Sequence, residues 1–249
     1  MRQFLIVGLI FLFLPFISFI QKEEITIFLI GDSTMANKPY ANGNPEKGWG
    51  QVFPLYLKEG IRVENHAVNG RSSKSFMDEG RWDKVLESIE PGDYVIIEFG
   101  HNDQKIKDPS RYADADSAYR LNLLKYITDT RAKGGKPVLA TPIVRRRFDE
   151  SGKFYDTHTD YPDVVRELAE EENVPLLDLH KKTMELLKAY GEERSKKLFL
   201  HIQPGEFSSI PKAKEDDTHL SGTGAFRVCD LVVEEMEKAL PELTKYLKE

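Results

Sequence analysis

From residue 24 onward, short apolar runs alternate with longer stretches in which apolar positions recur every three to four residues. The short runs at 25–30, 62–66, 94–99, 138–141 and 175–177 are β-branched or almost wholly apolar and lack two-residue alternation. That pattern predicts strands buried on both faces, as in a parallel sheet. Helical periodicity predicts helices over 49–58, 82–89, 115–133, 161–172, 181–189 and 222–240. Gly60, Pro91-Gly92 and Gly134-Gly135 follow the first three and supply their stops. Strand–helix alternation of this kind predicts one α/β domain over 21–249, with no repeat or linker to divide it. The segment 198–218 is broken by Pro204, Gly205 and Pro211 and reads as the main irregular stretch. Long irregular segments in compact domains are usually functional.

The amino terminus departs from this pattern. Arg2 precedes an unbroken apolar run from Phe4 to Phe16, continued by Ile17, Phe19 and Ile20 and ended by Gln21-Lys22-Glu23-Glu24. A basic start, an apolar centre and an abrupt polar exit over 1–20 read as a secretory signal. An uncleaved signal-anchor is the alternative, because Ser18 is the only small residue near the exit and the run nears the ~17-residue lower limit for a span. A buried core helix would carry a polar face, which this run lacks. Either way the chain is expected to be secreted or periplasmic, or held at a membrane by its amino terminus alone.

Composition narrows the chemistry. The 249 residues are 40% hydrophobic and 31% charged, which excludes disorder and a polytopic membrane protein. A net charge of -6 argues against nucleic acid, which calls for a clustered basic face. Cys229 stands alone, so neither an intrachain disulfide nor a cysteine-rich metal site is available. No His-x-x-x-His pair and no phosphate-binding loop with a Gly-Lys pair occurs, so no metal, nucleotide or other cofactor is expected and activity should survive a chelator.

Ligands of open α/β sheets bind beyond the carboxyl ends of the strands. In the flavodoxin-like order 2-1-3-4-5, the loops after the first three strands meet. They carry Gly31-Asp32-Ser33-Thr34, then Asn69-Gly70-Arg71-Ser72-Ser73, then Gly100-His101-Asn102-Asp103. Ser33 is a hydroxyl nucleophile on an expected strand-to-helix turn, with its N–H free for an anion. Gly70 lets the backbone approach a ligand, and Asn102 offers a side-chain N–H. Asp216 stands three residues before His219, ahead of the final helix, where it could accept from one ring nitrogen while the other faces the serine.

These four blocks resemble those of the SGNH, or GDSL-type, hydrolases. Gly31-Asp32-Ser33-Thr34-Met35-Ala36, Gly48-Trp49-Gly50, the segment 70–76 and Asp216-Asp217-Thr218-His219-Leu220 are most similar to the rhamnogalacturonan acetylesterase-like branch. Thr34 replaces the leucine of the family's name motif, as it does throughout that branch. The resemblance implies a three-layer α/β fold with a five-stranded parallel sheet and helices on both faces. It also implies Ser33 as nucleophile, His219 as general base and Asp216 as its orienting group. Ser33 and Gly70 N–H groups and the Asn102 side chain would form the oxyanion hole. The implied substrate is an acetylated pectic polysaccharide; a lipase- or thioesterase-type esterase and a non-catalytic glycan-binding protein are the alternatives.

Simpler roles exist for single residues. Ser33 and Thr34 could cap a helix, Gly70 could be a turn residue and Asn102-Asp103 an Asx-turn. Asp217 is the rival orienting group and reads as structural, as do Asp32 at its turn and His66 and His101. His158 and His180 show no partner at a telling spacing. His201 and Trp49 are open candidates for a substrate groove, Trp49 equally for the core. Arg145-Arg146-Arg147 is either a solvated turn or an attractor of an acidic polymer.

Overall fold

The computed structural model describes residues 24–208 and 210–248. The leader over 1–20 lies outside them. Among the described residues no helix is long and apolar enough to cross a membrane.

The strands are β1 (Ile25–Gly31), β2 (Ile61–Asn65), β3 (Tyr94–Glu98), β4 (Lys136–Ala140) and β5 (Leu176–Leu177). They form one parallel sheet in the order β2-β1-β3-β4-β5. The absence of two-residue alternation now has its cause. Ile27 and Leu29 of β1 and Tyr94 and Ile96 of β3 point into one apolar layer. Phe28, Ile30, Val95 and Ile97 point into the other. The first layer is closed by α1 (Trp49–Val52), α6 (Leu179–Ser195) and α7 (Gly222–Ala239). The second is closed by α2 (Ser73–Asp78), α3 (Arg81–Ser88), α4 (Arg120–Ala132) and α5 (Tyr161–Glu171). Burial on both sides requires apolar residues at every position of a central strand.

Several elements differ from their sequence reading. Helix 49–58 shortens to α1 and continues as a 3-10 turn, Phe53–Tyr56, because Pro54 in its first turn offers no N–H. Helix 115–133 opens with a π-helical turn, Ala115–Tyr119. The six-residue α2, too short for its periodicity to stand out, is fixed by a reciprocal capping box between Ser72 and Ser75.

The larger correction concerns 198–218. This segment is not irregular throughout but holds an antiparallel hairpin, β6 (Phe199–Ile202) with β7 (Lys214–Leu220), separate from the main sheet. Pro204, Gly205 and Pro211 belong to its connection. Within it Leu220 pairs with Phe199 and Asp216 with Leu200, so Asp217, Thr218 and His219 have no opposite number and bulge outward. Helix α7 follows at once, capped by Ser221 Oγ, which accepts from Gly224 N–H at 3.1 Å. A Cβ on Gly224 would come within 1.9 Å of the Leu198 carbonyl, so this helix docks on the hairpin only with glycine there.

Candidate active site

The carboxyl ends of β1, β2 and β3 place their three loops side by side, as the sheet order requires. Ser33 is not on a strand-to-helix turn: the chain leaves β1 through a tight turn, and the next α-helix begins only at Trp49. Asp32 makes that turn, its Oδ1 accepting from both the N–H and the Oγ1 of Thr34 at 2.9 Å. Thr34 therefore serves the turn and not a helix cap.

Gly70 lies in the next loop with φ at 76°, a conformation that glycine adopts without steric cost. Asn102 follows β3; its Nδ2 donates to the Arg71 carbonyl at 3.0 Å, which leaves a second amide hydrogen. Asp103 ties the two loops together, accepting from the N–H and hydroxyl of Ser73 at 2.9 and 2.5 Å. Among the described residues no protein group accepts from the N–H of Ser33 or of Gly70.

The bulge in β7 brings the fourth block to this place. His219 Nε2 lies 3.1 Å from Ser33 Oγ. His219 Nδ1 lies 2.7 Å from Asp216 Oδ2. Asp216 Oδ1 accepts from the Thr218 and His219 N–H groups at 2.9 and 3.0 Å, so carboxylate and ring are held as one unit. Burial opposes the Asp216 charge, but His219 and these two N–H donors outweigh it and keep the carboxyl well below the usual range. A permanently charged Asp216 selects the ring tautomer with hydrogen on Nδ1, which leaves Nε2 to accept from Ser33. All five residues singled out for the site, Ser33, Gly70, Asn102, Asp216 and His219, line one cavity of about 490 Å³.

Beneath the cavity lies a buried layer of titratable groups. Asp32 and His101 are almost wholly inaccessible, with Oδ2 and Nδ1 3.4 Å apart. His101 is thus not a satisfied histidine: neither ring nitrogen makes a hydrogen bond among the described residues. Burial works against the Asp32 charge, yet His101 and the Thr34 donors hold it down at about 2. Burial pushes the His101 ring below its ordinary value, against the pull of Asp32. Glu98 sits under the same turn, bonded by Trp49 Nε1 at 2.7 Å and Ile143 N–H at 3.1 Å. Burial, reinforced by the Asp32 charge, pushes Glu98 up to about 8. Two carboxyls buried so close cannot both be charged, and the proton stays on Glu98.

The remaining candidates fall elsewhere. Trp49 is buried as a Glu98 partner, flanked by Gly48 and Gly50, whose absent Cβ atoms let them pack on the Met35 and Ala36 backbone; it lines no groove. Asp217 binds Arg146, Arg147 and His201 through contacts of 2.7–2.8 Å and faces away from His219's ring. Arg146 is therefore buried in its pair, while Arg147, paired with the same carboxylate, keeps about 40% of its side chain exposed. Arg145 lines the cavity but spends its donors on Gln104, Thr157 and the His101 carbonyl. His201 lines a neighbouring cavity of about 500 Å³. His158 and His180 do have partners, distant in sequence: Ile143 carbonyl and Gln104 for the first, Asp156 and Arg166 for the second. His66 stacks on Phe28 and lies 3.2 Å from Glu64. Sequence reasoning passed over Glu46, Lys105 and Lys214, which also line the cavity. Lys105 and Lys214 had a local signal, standing three residues after Asn102 and two before Asp216; Glu46 had none. Among the described residues no group of three or more His, Cys, Asp or Glu side chains is arranged to hold a metal ion.

The chain resembles known proteins in sequence and in fold. The sequence profile of the GDSL-like lipase/acylhydrolase family matches residues 29–225. The rhamnogalacturonan acetylesterase RhgT of Bacillus subtilis (strain 168) is 44% identical over 218 residues, covering 88% of this chain and 92% of the relative. A probable rhamnogalacturonan acetylesterase of the same organism, YesY, is 36% identical, covering 90% and 98%. The crystal structure of Bacillus subtilis YxiM superposes with a TM-score of 0.73 at 28% identity; the match covers 87% of this chain and 57% of that one. An acetylxylan esterase from Geobacillus stearothermophilus shares the fold at a TM-score of 0.61 and 20% identity, covering 85% and 94%.

Proposed function

This chain belongs to the GDSL-like lipase/acylhydrolase family, and on that premise we propose that it is a carbohydrate esterase that removes acetyl groups from pectic polysaccharide, above all rhamnogalacturonan. The hydrogen-bonded line Ser33–His219–Asp216 carries the chemistry of the proposal. The 44% identity to a rhamnogalacturonan acetylesterase over 88% of the chain supports the substrate.

Ser33 Oγ attacks the acetyl carbonyl carbon while His219 Nε2 takes its proton. The new oxyanion accepts from the N–H groups of Ser33 and Gly70 and from the second amide hydrogen of Asn102. Each such donor is worth roughly 2.7–4 kcal/mol in the transition state. Collapse breaks the bond to the sugar oxygen, which leaves with the proton from His219, and the acetyl group stays on Ser33. Water then attacks the acetyl-serine with His219 again as base, and acetate departs. Asp216 accepts from Nδ1–H throughout and stabilises the charged ring.

A cavity wall bearing Glu46, Lys105, Arg145 and Lys214 is a poor match for a long acyl chain, which favours acetyl esters of polar polymers over lipids. Export is the companion proposal, motivated by the apolar residues 4–20. Mass spectrometry of the secreted protein's amino terminus tests it; an intact Met1 would rule out cleavage.

The decisive experiment is acetate release from acetylated rhamnogalacturonan, homogalacturonan and xylan, beside an aryl acetate. Rhamnogalacturonan should be the preferred polymer, and Ser33→Ala should lower every rate at least about 1,000-fold. Undiminished turnover in Ser33→Ala would remove the nucleophile, and a preference for long-chain esters would remove the substrate.

A further inference from the structure

Most cations around the active-site cavity are already committed to a carboxylate. Arg71 Nε lies 2.9 Å from Glu79, and Arg111 binds Asp108. Lys38 Nζ lies 2.8 Å from Glu46, and Lys214 Nζ 3.3 Å from Asp216. Arg145 has no carboxylate but spends its donors on neutral groups; Lys105 alone is exposed, lines the cavity, and has an ammonium with no hydrogen-bond or ion-pair partner among the described residues.

Its backbone is nonetheless well fixed. Lys105 N–H donates to the Asn102 carbonyl at 3.2 Å, and its own carbonyl accepts from Asp108 N–H at 2.7 Å. The side chain thus springs from the turn that carries the Asn102 amide. The surroundings are cationic as well. Burial lowers the Lys105 pKa, the nearby Arg111 and Arg145 charges lower it further, and Asp32 and Asp108 offset them only in part. An ammonium held near like charges is incompletely compensated, and a carboxylate arriving beside it is attracted by the whole group.

We propose that Lys105 is a specificity-determining residue that pairs with the carboxylate of a uronosyl unit next to, or bearing, the scissile acetyl ester. The inference rests on the carbohydrate acetylesterase reading and deepens it, because it assigns the choice of acidic over neutral polymers to one side chain. The second cleft, about 450 Å³ and sharing Gly70 with the first, is a poorer place for that carboxylate: Asp78, Glu79 and Asp108 line it, and its two arginines are paired.

The test uses the full chain and two matched small esters, an O-acetylated methyl galacturonoside and the same compound with its carboxyl group methylated. The wild type should prefer the free acid, and added salt should narrow that preference. Lys105→Gln should reduce the acid-over-ester ratio of kcat/KM about 3- to 10-fold, mainly through KM, as expected for one partly exposed charge pair. Lys105→Arg should restore most of it. An unpreferred free acid in the wild type, or a ratio unmoved by Lys105→Gln, would overturn the assignment. Acetate release from polymeric rhamnogalacturonan is read separately. Its absence, alongside an intact acid preference on the small esters, would refute the polymer substrate and leave Lys105 in its role.

Discussion

Asp216 and Asp217 are consecutive in sequence, yet Asp216 Oδ2 accepts from His219 Nδ1 at 2.7 Å while Asp217 turns to Arg146, Arg147 and His201. The bulge of β7 separates their directions. On the proposed mechanism one carboxylate orients the base; the other fastens the hairpin to the loop after β4, where Arg146 N–H also donates to the Asp217 carbonyl at 2.8 Å.

Substitution at the two positions should therefore have different signatures. Asp216→Asn should lower kcat about 100- to 10,000-fold with KM little changed, because the amide favours the wrong ring tautomer. Asp217→Asn leaves the buried Arg146 without its counter-charge and should cost about 2–4 kcal/mol of stability. Thermal melts beside kcat for both variants check this. Equal losses of activity would remove the distinction.

Gly70→Ala tests the second oxyanion donor through the backbone. Space is not the obstacle, since the nearest atom to an added Cβ would be Arg111 Nη1 at 3.6 Å. The obstacle is φ at 76°, which an alanine holds at a cost of order 1 kcal/mol and relieves by rotating the N–H away. The expected outcome is a fall in kcat of about 10-fold or more with KM nearly constant. Wild-type kcat in a folded Gly70→Ala protein would show that this N–H does not serve the transition state.

Glu98 makes stability depend on pH. Its carboxyl titrates near 8 in the folded chain, against an ordinary value of 4.5 that applies once the chain unfolds. Between those values the folded state holds the proton that the unfolded state has released, so raising the pH across this window favours unfolding. Melting temperatures should decline from pH 5 to pH 8, and Glu98→Gln should flatten that decline. Parallel curves for the two proteins would contradict a protonated Glu98.

Much of this was legible in the residues, for reasons that can be named. β1 and β3 stand out because both of their faces are covered, and the parallel character of the sheet, though not its strand order, follows from alternation with helices. The blocks around Ser33, Gly70 and Asn102 are local, each set at the end of a strand. β7 was hidden because Lys214-Glu215-Asp216-Asp217-Thr218-His219 is almost wholly polar. Its strand is held by pairing with Phe199–Ile202 and by ion pairs to residues some 70 positions earlier, which no local pattern reports. The partners of His158, His180 and Glu98 were hidden for the same reason.

The bond from Ser33 to His219 spans 186 positions, and the histidine rides on a hairpin outside the main sheet. On the proposed mechanism, nucleophile and oxyanion donors lie within the first 102 residues, but the base is in place only when β7 and α7 have docked. On that mechanism, a chain shortened to end before this hairpin should be inert toward esters, however well its sheet has formed. Hydrolysis itself would then report that the carboxyl-terminal hairpin and helix have docked.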